Sequence, residues 1–317
     1  MNPECIGLLG QLSADEPVSG EVLAKRLGVT RGGVWKRIEA LRAAGVEIRG
    51  RAGGGYRLAW PVDLLDAGRI AGALAAEGIA TEVHPVLEST NTTLAIAADV
   101  HRRLVTAEYQ SAGRGRRGRS WLSPPAAGIY LSFGFRFQSG LPALGPLSLV
   151  AGLAVARALE ANFGVSPGLK WPNDLVIGGY KLGGLLTEIS GAADGPCLAV
   201  IGLGLNVRLP PNSIPDQPWT DLYRAVGAVP DRSELAIALT RALDRACRDF
   251  QGSGFESFKD AWARLDVLAG NAVEVRHLDG RAEAGIAEGV SDQGALLFNG
   301  PAGRLELAAG EVTVRGP

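Results

Sequence analysis

The sequence predicts an α+β chain in three parts: an N-terminal winged helix-turn-helix, a central mixed-sheet α/β domain and a small C-terminal β-barrel. Two helical periods split by a glycine lead into a glycine-tipped strand pair near the start of the chain. Apolar strands and long helices then mix through the middle, and beyond Asn271 only short alternating runs remain. With 317 residues and 46% hydrophobic content, roughly two domains are the soft expectation. The divisions fall at 1–62 for the winged helix, 63–80 for a linker helix, 81–268 for the main domain and 269–317 for the barrel.

In the first part, Glu21 to Leu27 carries Val22, Leu23 and Leu27 at helical spacing, and Gly28-Val29-Thr30 reads as a C-cap glycine, a turn and a new N-cap. A second helix from Thr30 to Gly45 sets Val34, Ile38 and Leu41 on one face and leaves Arg31, Lys36 and Arg37 on the others. Val46–Arg49 and Tyr56–Leu58 alternate around the tip Arg51-Ala52-Gly53-Gly54-Gly55, which makes a hairpin. The whole chain is nearly neutral, with 32 basic and 33 acidic residues, yet Arg26 to Arg57 holds eight basic residues against Glu39 and Glu47, net +6. Order, turn chemistry and charge point to DNA: the Thr30 helix in a major groove, with Arg31, Lys36, Arg37 and Arg51 neutralising phosphates. A small helical cap with solvated charges is the alternative.

Pro61 breaks the wing, and Leu64, Leu65, Ile70 and Leu74 recur near helical spacing in the linker. The strand candidates that follow are Leu104–Gln110, Ile129–Phe137, Asp174–Ile177, Tyr180–Ile189 and Cys197–Val207; the long helices are Leu147–Asn162, Ser233–Phe250 and Phe255–Leu265. Gly178-Gly179 is a two-residue hairpin signal, so the sheet is mixed and not purely parallel. The last part alternates at Val273–Val275, Ala295–Phe298, Leu305–Leu307 and Val312–Val314, and a small closed barrel fits it.

Composition excludes several function classes. Cys5, Cys197 and Cys247 are few, odd in number and far apart, which leaves no disulfide framework and no CxxC site and implies a reducing compartment. His84, His101 and His277 are never close in sequence, which argues against a histidine metal site or a Ser-His-Asp hydrolase, and no metal-ligating residues are assigned. The start of the chain carries Glu4 and no basic n-region ahead of an apolar run, and no uninterrupted apolar stretch reaches about 18 residues, so a cytoplasmic protein without membrane contact is expected.

The run most charged with chemistry is Gly113-Arg114-Gly115-Arg116-Arg117-Gly118-Arg119-Ser120-Trp121, directly after a strand. Its glycines satisfy GxGxxG, and it misses the P-loop pattern by Arg119 in place of lysine. Both motifs need a helix at the last glycine, whereas Ser123-Pro124-Pro125 follows, and no acid stands near the ~20-residue offset expected for a ribose ligand. What remains is a flexible loop of four guanidiniums, disordered until a polyanionic ligand neutralises it. An RNA-binding or simply solvated basic loop is the rival. Lys170-Trp171-Pro172-Asn173-Asp174-Leu175 offers a lysine and an amide on a rigid corner, or only a structural turn; Glu88-Ser89-Thr90-Asn91 is a helix cap able to donate to a polar ligand. Gly202-Leu203-Gly204-Leu205-Asn206 is an apolar strand whose glycines allow a flat ligand to approach the backbone.

Taken in order, Ser89-Thr90-Asn91, AEYQSAGRGRRGRSW at 107–121, KWPNDL at 170–175, KLGGLLTE at 181–188 and GLGLNV at 202–207 resemble the bifunctional biotin-protein ligase and biotin operon repressor family of bacteria. The resemblance covers essentially the whole chain. It implies a class II synthetase-like, biotin/lipoate-ligase-like central fold, an SH3-like barrel, and a two-step reaction in which biotin and ATP give biotinyl-5'-AMP and pyrophosphate before the acyl group passes to a carrier lysine. It further implies Lys170, Arg114, Arg116 and Arg119 as catalytic residues. Biotin would be held by Ser89, Thr90, Asn91, Gln110, Arg114, Gly115, Arg116 and Lys170. The nucleotide would meet Arg116, Arg119, Trp121, Asn173, Lys181 and Asn206, with adenine-side contacts near Trp219 to Leu222. ATP, Mg²⁺ and biotin are the implied ligands, with biotinyl-5'-AMP as intermediate and corepressor. The implied partners are a biotin carboxyl carrier protein domain, operator DNA and a second copy of the chain in a ligand-promoted homodimer. The rivals are a lipoate-type ligase and a non-catalytic ligand-sensing regulator.

Overall fold

The computed structural model describes every residue except 52, 212, 214–216, 278, 310, 311, 316 and 317, and leaves out the side chains of 51, 312, 313 and 315. Its first part is built from α1 (Pro3–Leu9), α2 (Gly20–Leu27), α3 (Arg31–Ala43), β1 (Ile48–Arg51) and β2 (Gly55–Leu58). Gly28 ends α2 in the left-handed conformation at φ 64°, and the Thr30 hydroxyl starts α3 by accepting from the Gly33 amide at 3.1 Å. Leu8, Leu23, Val34, Ile38, Leu41 and Tyr56 close one small core beneath the three helices and the wing. The short α1, capped by Asn2, is an addition to the sequence reading, since its seven residues show too little of a helical period. The wing strands sit closer to the tip than their alternation predicts, because Val46 still closes α3 through its amide to the Leu41 carbonyl.

After the linker helix α4 (Ala67–Ala75), capped by Asp66, come β3 (Ala80–His84), α5 (Thr90–Ala95), β4 (Arg103–Ala107), β5 (Gly128–Phe137), α6 (Leu147–Phe163), β6 (Gly168–Lys170), β7 (Asp174–Ile177), β8 (Tyr180–Gly191) and β9 (Cys197–Asn206). Then follow α7 (Leu222–Val226), α8 (Arg232–Ser253) and α9 (Glu256–Ala263). The sheet runs β3-β4-β5-β9-β8-β7-β6, and among its pairs only β3 with β4 is parallel. Gly178 and Gly179, at φ 57° and 82°, form the turn between β7 and β8 that their sequence signals. One face of the sheet packs on α6 and α8; Leu94 of α5 joins Val105 and Val200 on the other. Leu141–Phe163 is apolar and long enough to cross a membrane by composition alone, but most of that span is buried as the core helix under the sheet.

The last part is a five-stranded antiparallel sheet of β10 (Ala272–His277), β11 (Ala282–Val290), β12 (Leu296–Gly300), β13 (Gly303–Leu307) and β14 (Val312–Arg315), in the order β13-β12-β11-β10-β14. Its core residues Val275, Ala287, Leu296 and Phe298 are continuous with the central core. The nine-residue β11 was not among the expected runs, because its inward positions are mostly small residues.

Contacts of the N-terminal module and of the linker behind it join them to the centre. Arg208, just past β9, lies between the rings of Trp60 and Tyr223, at 4.6 and 4.0 Å from their centroids. Deeper, the Arg232 guanidinium meets the Glu108 carboxylate at 2.8 Å with side chains 1% and 4% exposed, and also donates to the Asp63 and Gly128 carbonyls. The other Glu108 oxygen accepts the Leu65 amide. A buried ion pair of this kind satisfies its charges only while both partners remain. Replacing Arg232 with Met should therefore cost about 3–5 kcal/mol in urea unfolding, and adding Glu108→Gln should recover much of that loss.

Candidate active site

The cleft lies on the sheet face opposite α6 and α8, where sequence and packing bring four segments together around a volume of about 680 Å³. Ser89 caps α5 by accepting from the Thr92 amide. At the first turn of that helix, the Thr90 amide and hydroxyl both reach the Gln110 side-chain carbonyl, at 2.8 and 3.2 Å, and the Gln110 amide donates to Ser123 at 2.9 Å. Asn91 turns to the sheet, donating to the Leu186 carbonyl and to Glu188, with the Ser132 hydroxyl 2.5 Å from its oxygen.

In the structure the arginine loop takes a defined conformation. Arg114 and Ser120 bridge as antiparallel partners, the Gly115 amide donates to the Arg119 carbonyl at 2.7 Å, and a 3-10 turn spans Arg116–Gly118. Gly113 is required there, since a Cβ would stand 2.5 Å from the Trp121 carbonyl. Two of the guanidiniums have protein partners: Arg114 forks onto Glu188, and Arg116 donates to the Asn173 side chain and to the Ala309 carbonyl of the C-terminal part. Burial, helped by the neighbouring Arg117 and Arg119 charges, pulls the Arg116 pKa down, while Asp174 opposes this.

Lys170 ends β6 at the cleft wall and makes no ion pair among the described residues. Burial holds its pKa below the ordinary 10.5 for lysine; Asp174 pulls it up and Lys181 pushes it further down. Beside it the buried Trp171 indole donates to the Gly294 carbonyl at 3.0 Å, which pins the corner to the C-terminal sheet. Asn173 donates to the Leu185 carbonyl at 2.6 Å, and Asn206 to the Thr220 carbonyl at 2.9 Å, so both amides brace the cleft walls. Lys181 pairs with Asp174 at 2.7 Å and stands over the Trp121 ring.

The glycines of β9, read from the sequence as points of close approach, line the cleft and receive protein side chains. A Cβ on Gly202 would fall 2.1 Å from the Asn91 side-chain oxygen, and one on Gly204 would fall 2.3 Å from the Trp121 ring. Trp121 thus lies directly on the strand, its indole N–H buried without a partner among the described residues.

Ser89, Thr90, Asn91, Gln110, Arg114, Gly115, Arg116, Arg119, Trp121, Lys170, Asn173, Lys181 and Asn206 all line this one cleft. Sequence reasoning passed over Glu188, Ser123, Ser132 and Asp174. Glu188 and Asp174 stood inside quoted motifs, and a carboxylate beside so many cations was the available signal; the two serines carried none. On α3, Arg31 and Lys36 are exposed. Arg37 is a correction: it turns back to Glu4 of α1 at 2.5 Å and its side chain is only 14% exposed, because the helix face it occupies packs on α1. The Arg51 side chain lies outside the described residues.

A helix-turn-helix module joined to a sheet whose cleft gathers lysines and arginines defines a class of protein in which a cleft suited to an anionic ligand stands beside a winged helix-turn-helix unit. Residues 83–206 match the biotin/lipoate A/B protein ligase family, and residues 8–57 match a helix-turn-helix domain. The chain is 37% identical over 313 residues to the bifunctional ligase/repressor BirA of Escherichia coli (strain K12), covering 97% of this chain and 96% of that protein. It is 32% identical over 325 residues to its namesake in Bacillus subtilis (strain 168), covering 98% of each. Among solved structures it is similar to the biotin protein ligase from Aquifex aeolicus in complex with biotin and ATP, with TM-score 0.65 and 28% identity over 75% of this chain and 99% of that one. The chain belongs to the bifunctional ligase/repressor family.

Proposed function

We propose that this chain is an ATP-dependent biotin-protein ligase, a biotin–[biotin carboxyl carrier protein] ligase, that also represses transcription with biotinyl-5'-AMP as corepressor. The observation that carries the reading is the convergence of Arg114, Arg116, Arg119 and Lys170 on one cleft, in a chain similar over nearly its whole length to proteins named for both activities.

In the first step a biotin carboxylate oxygen attacks the α-phosphorus of ATP, the bond to the bridging oxygen breaks, and pyrophosphate leaves. Charge gathers on phosphate oxygens, so preorganised cations lower the barrier. Lys170 binds the biotin carboxylate and the adenylate oxygens, Arg114 and Arg116 hold the activated carboxyl, and Arg119 faces the phosphates. Ser89, Thr90, Asn91 and Gln110 receive the polar ureido end; Trp121, Asn173, Lys181 and Asn206 border the nucleotide. In the second step the neutral amine of the carrier lysine attacks the acyl carbon. Its carbonyl becomes an oxyanion beside Lys170, AMP departs, and an amide forms with loss of the amine proton.

Among the described residues no three His, Cys, Asp or Glu side chains gather to hold a metal. Asp174, the cleft-wall carboxylate among the described lining residues and paired there with Lys181, would be the residue to hold a Mg²⁺ ion that otherwise keeps water and phosphate oxygens. Such an ion neutralises phosphate charge.

The same reading takes residues 1–62 as the DNA-binding unit, 63–80 as a linker, 81–268 as the catalytic domain and 269–317 as an SH3-like barrel whose strands are those of the C-terminal sheet. It takes the acceptor as a carrier-protein lysine, the working state on DNA as a ligand-promoted homodimer, since a two-fold operator needs two recognition helices, and the compartment as the cytoplasm.

Lys170→Ala should slow adenylate formation by roughly 100- to 1,000-fold, read as pyrophosphate release. Because burial lowers the Lys170 pKa, the cation is lost at a lower pH than a free lysine, so the alkaline fall in wild-type rate lies below 10.5 and moves up in Lys170→Arg. For the DNA-binding half, Arg31→Ala with Lys36→Ala should lower the slope of log affinity for duplex DNA against log salt by about 2, measured by fluorescence anisotropy. Arg37→Ala should leave that slope in place, in keeping with its contact to Glu4.

A further inference from the structure

Glu188 has no part in the reaction as just described, yet it sits where two of its elements meet. Arg114 approaches it end-on, Nη1 3.1 Å from Oε2 and Nη2 2.8 Å from Oε1, while Asn91 donates to the same Oε2 at 2.9 Å. Asn91 is joined through the Ser132 hydroxyl to Thr90, and Thr90 to Gln110. One carboxylate on β8 thus ties the first arm of the arginine loop to the helix cap that faces the polar end of the cleft. The neighbouring strand β9 leaves room for this tie, because the Asn91 side chain crosses the bare Cα of Gly202.

The form of the ion pair decides what Glu188 does. A guanidinium has five N–H groups in a rigid plane. The end-on fork to Glu188 takes one hydrogen from each Nη and leaves a side edge, the Nε hydrogen with a neighbouring Nη hydrogen, free to form a second fork to a carboxylate or phosphate. The cleft also holds Arg116, Arg117, Arg119, Lys170 and Lys181. Without a local anion, Arg114 would be driven outward by these like charges.

We propose that Glu188 is a positioning residue for the adenylation reaction: it holds Arg114 in the plane from which that arginine's second edge receives the biotin carboxylate. The inference rests on the ligase reading of the cleft. Glu188 acts through Arg114 and touches no reacting atom.

The test is a double-mutant cycle on the full chain with Glu188→Gln, Arg114→Ala and the pair, read by equilibrium biotin binding and by the biotin dependence of adenylation. Glu188→Gln keeps the shape and removes the charge, and should raise the biotin Kd and KM about tenfold or more, the scale of a charge-assisted hydrogen bond, with a smaller change in kcat. In the Arg114→Ala background the same change should have no further effect. Glu188→Asp, whose shorter reach spoils one arm of the fork, should fall between the two, which also guards against a folding defect in one variant. Additive losses in the cycle would mean that Glu188 acts independently of Arg114, and tighter biotin binding in Glu188→Gln would mean that its carboxylate competes with the ligand; either overturns the proposal. Because biotin binding is read directly, a wild-type chain that binds biotin without forming adenylate would count against the ligase reading and leave the cycle intact as a test of Glu188.

Discussion

Holding many cations in one cleft without a ligand is costly, and the ways this chain meets that constraint explain much of its architecture. Arg114, Arg116, Arg117, Arg119, Lys170 and Lys181 line the same space. Partners among the described residues answer part of the repulsion: Glu188 against Arg114, Asp174 against Lys181, and the backbone carbonyl of Ala309 against Arg116. Lys170 is left with its charge uncompensated by any ion pair among the described residues and with its pKa lowered by burial. An anionic ligand entering the cleft therefore meets Lys170 at the end of β6 and, beside it, Arg114 and Arg116 already held by protein partners.

Each solution draws in a different part of the chain. The C-terminal sheet supplies the Ala309 carbonyl to the loop and the Gly294 carbonyl to Trp171, so both walls of the cleft are anchored to it. The N-terminal module comes as near from the other side: Ala43 and Ala44, at the end of α3, line the cleft, and Gly45 packs on Pro124 and Pro210. Arg208 follows directly on the strand that floors the site and is clasped by Trp60 from the wing side and Tyr223 from α7. The helix read as entering DNA and the cleft read as making the adenylate are thus in contact through packed side chains. A preference of either ligand for one arrangement of this contact would couple the two binding events, equally in both directions.

The sequence was most legible where local chemistry decides structure. Gly28 and Thr30 divide two helices through capping that any isolated segment would share, and Gly178-Gly179 sets a hairpin by backbone conformation alone. The residues of the cleft were legible as motifs, yet their arrangement was not. The GRGRRGR run looked like open chain because its cations lacked partners in the nearby sequence; those partners, Glu188 and Ala309, lie 74 and 193 residues away. The glycines of β9 were rightly read as points of close approach, but whether a ligand or Trp121 approaches is settled only by tertiary packing. Arg37 failed for a similar reason: a helical period assigns it to a polar face, and only the unforeseen α1 turns that face inward. The short β3, β6 and α7 escaped notice because each is held by its neighbours more than by its own pattern.

The central claim is that the cleft activates the biotin carboxylate with ATP and hands it to a carrier lysine. Mass spectrometry of the purified chain incubated with biotin, ATP and Mg²⁺, before and after addition of a biotin carrier domain, tests it directly. The account expects biotinyl-5'-AMP to accumulate and then disappear as the carrier gains the mass of one biotin. A folded sample that forms no adenylate and leaves the carrier unchanged, or one that transfers lipoate in place of biotin, would contradict it.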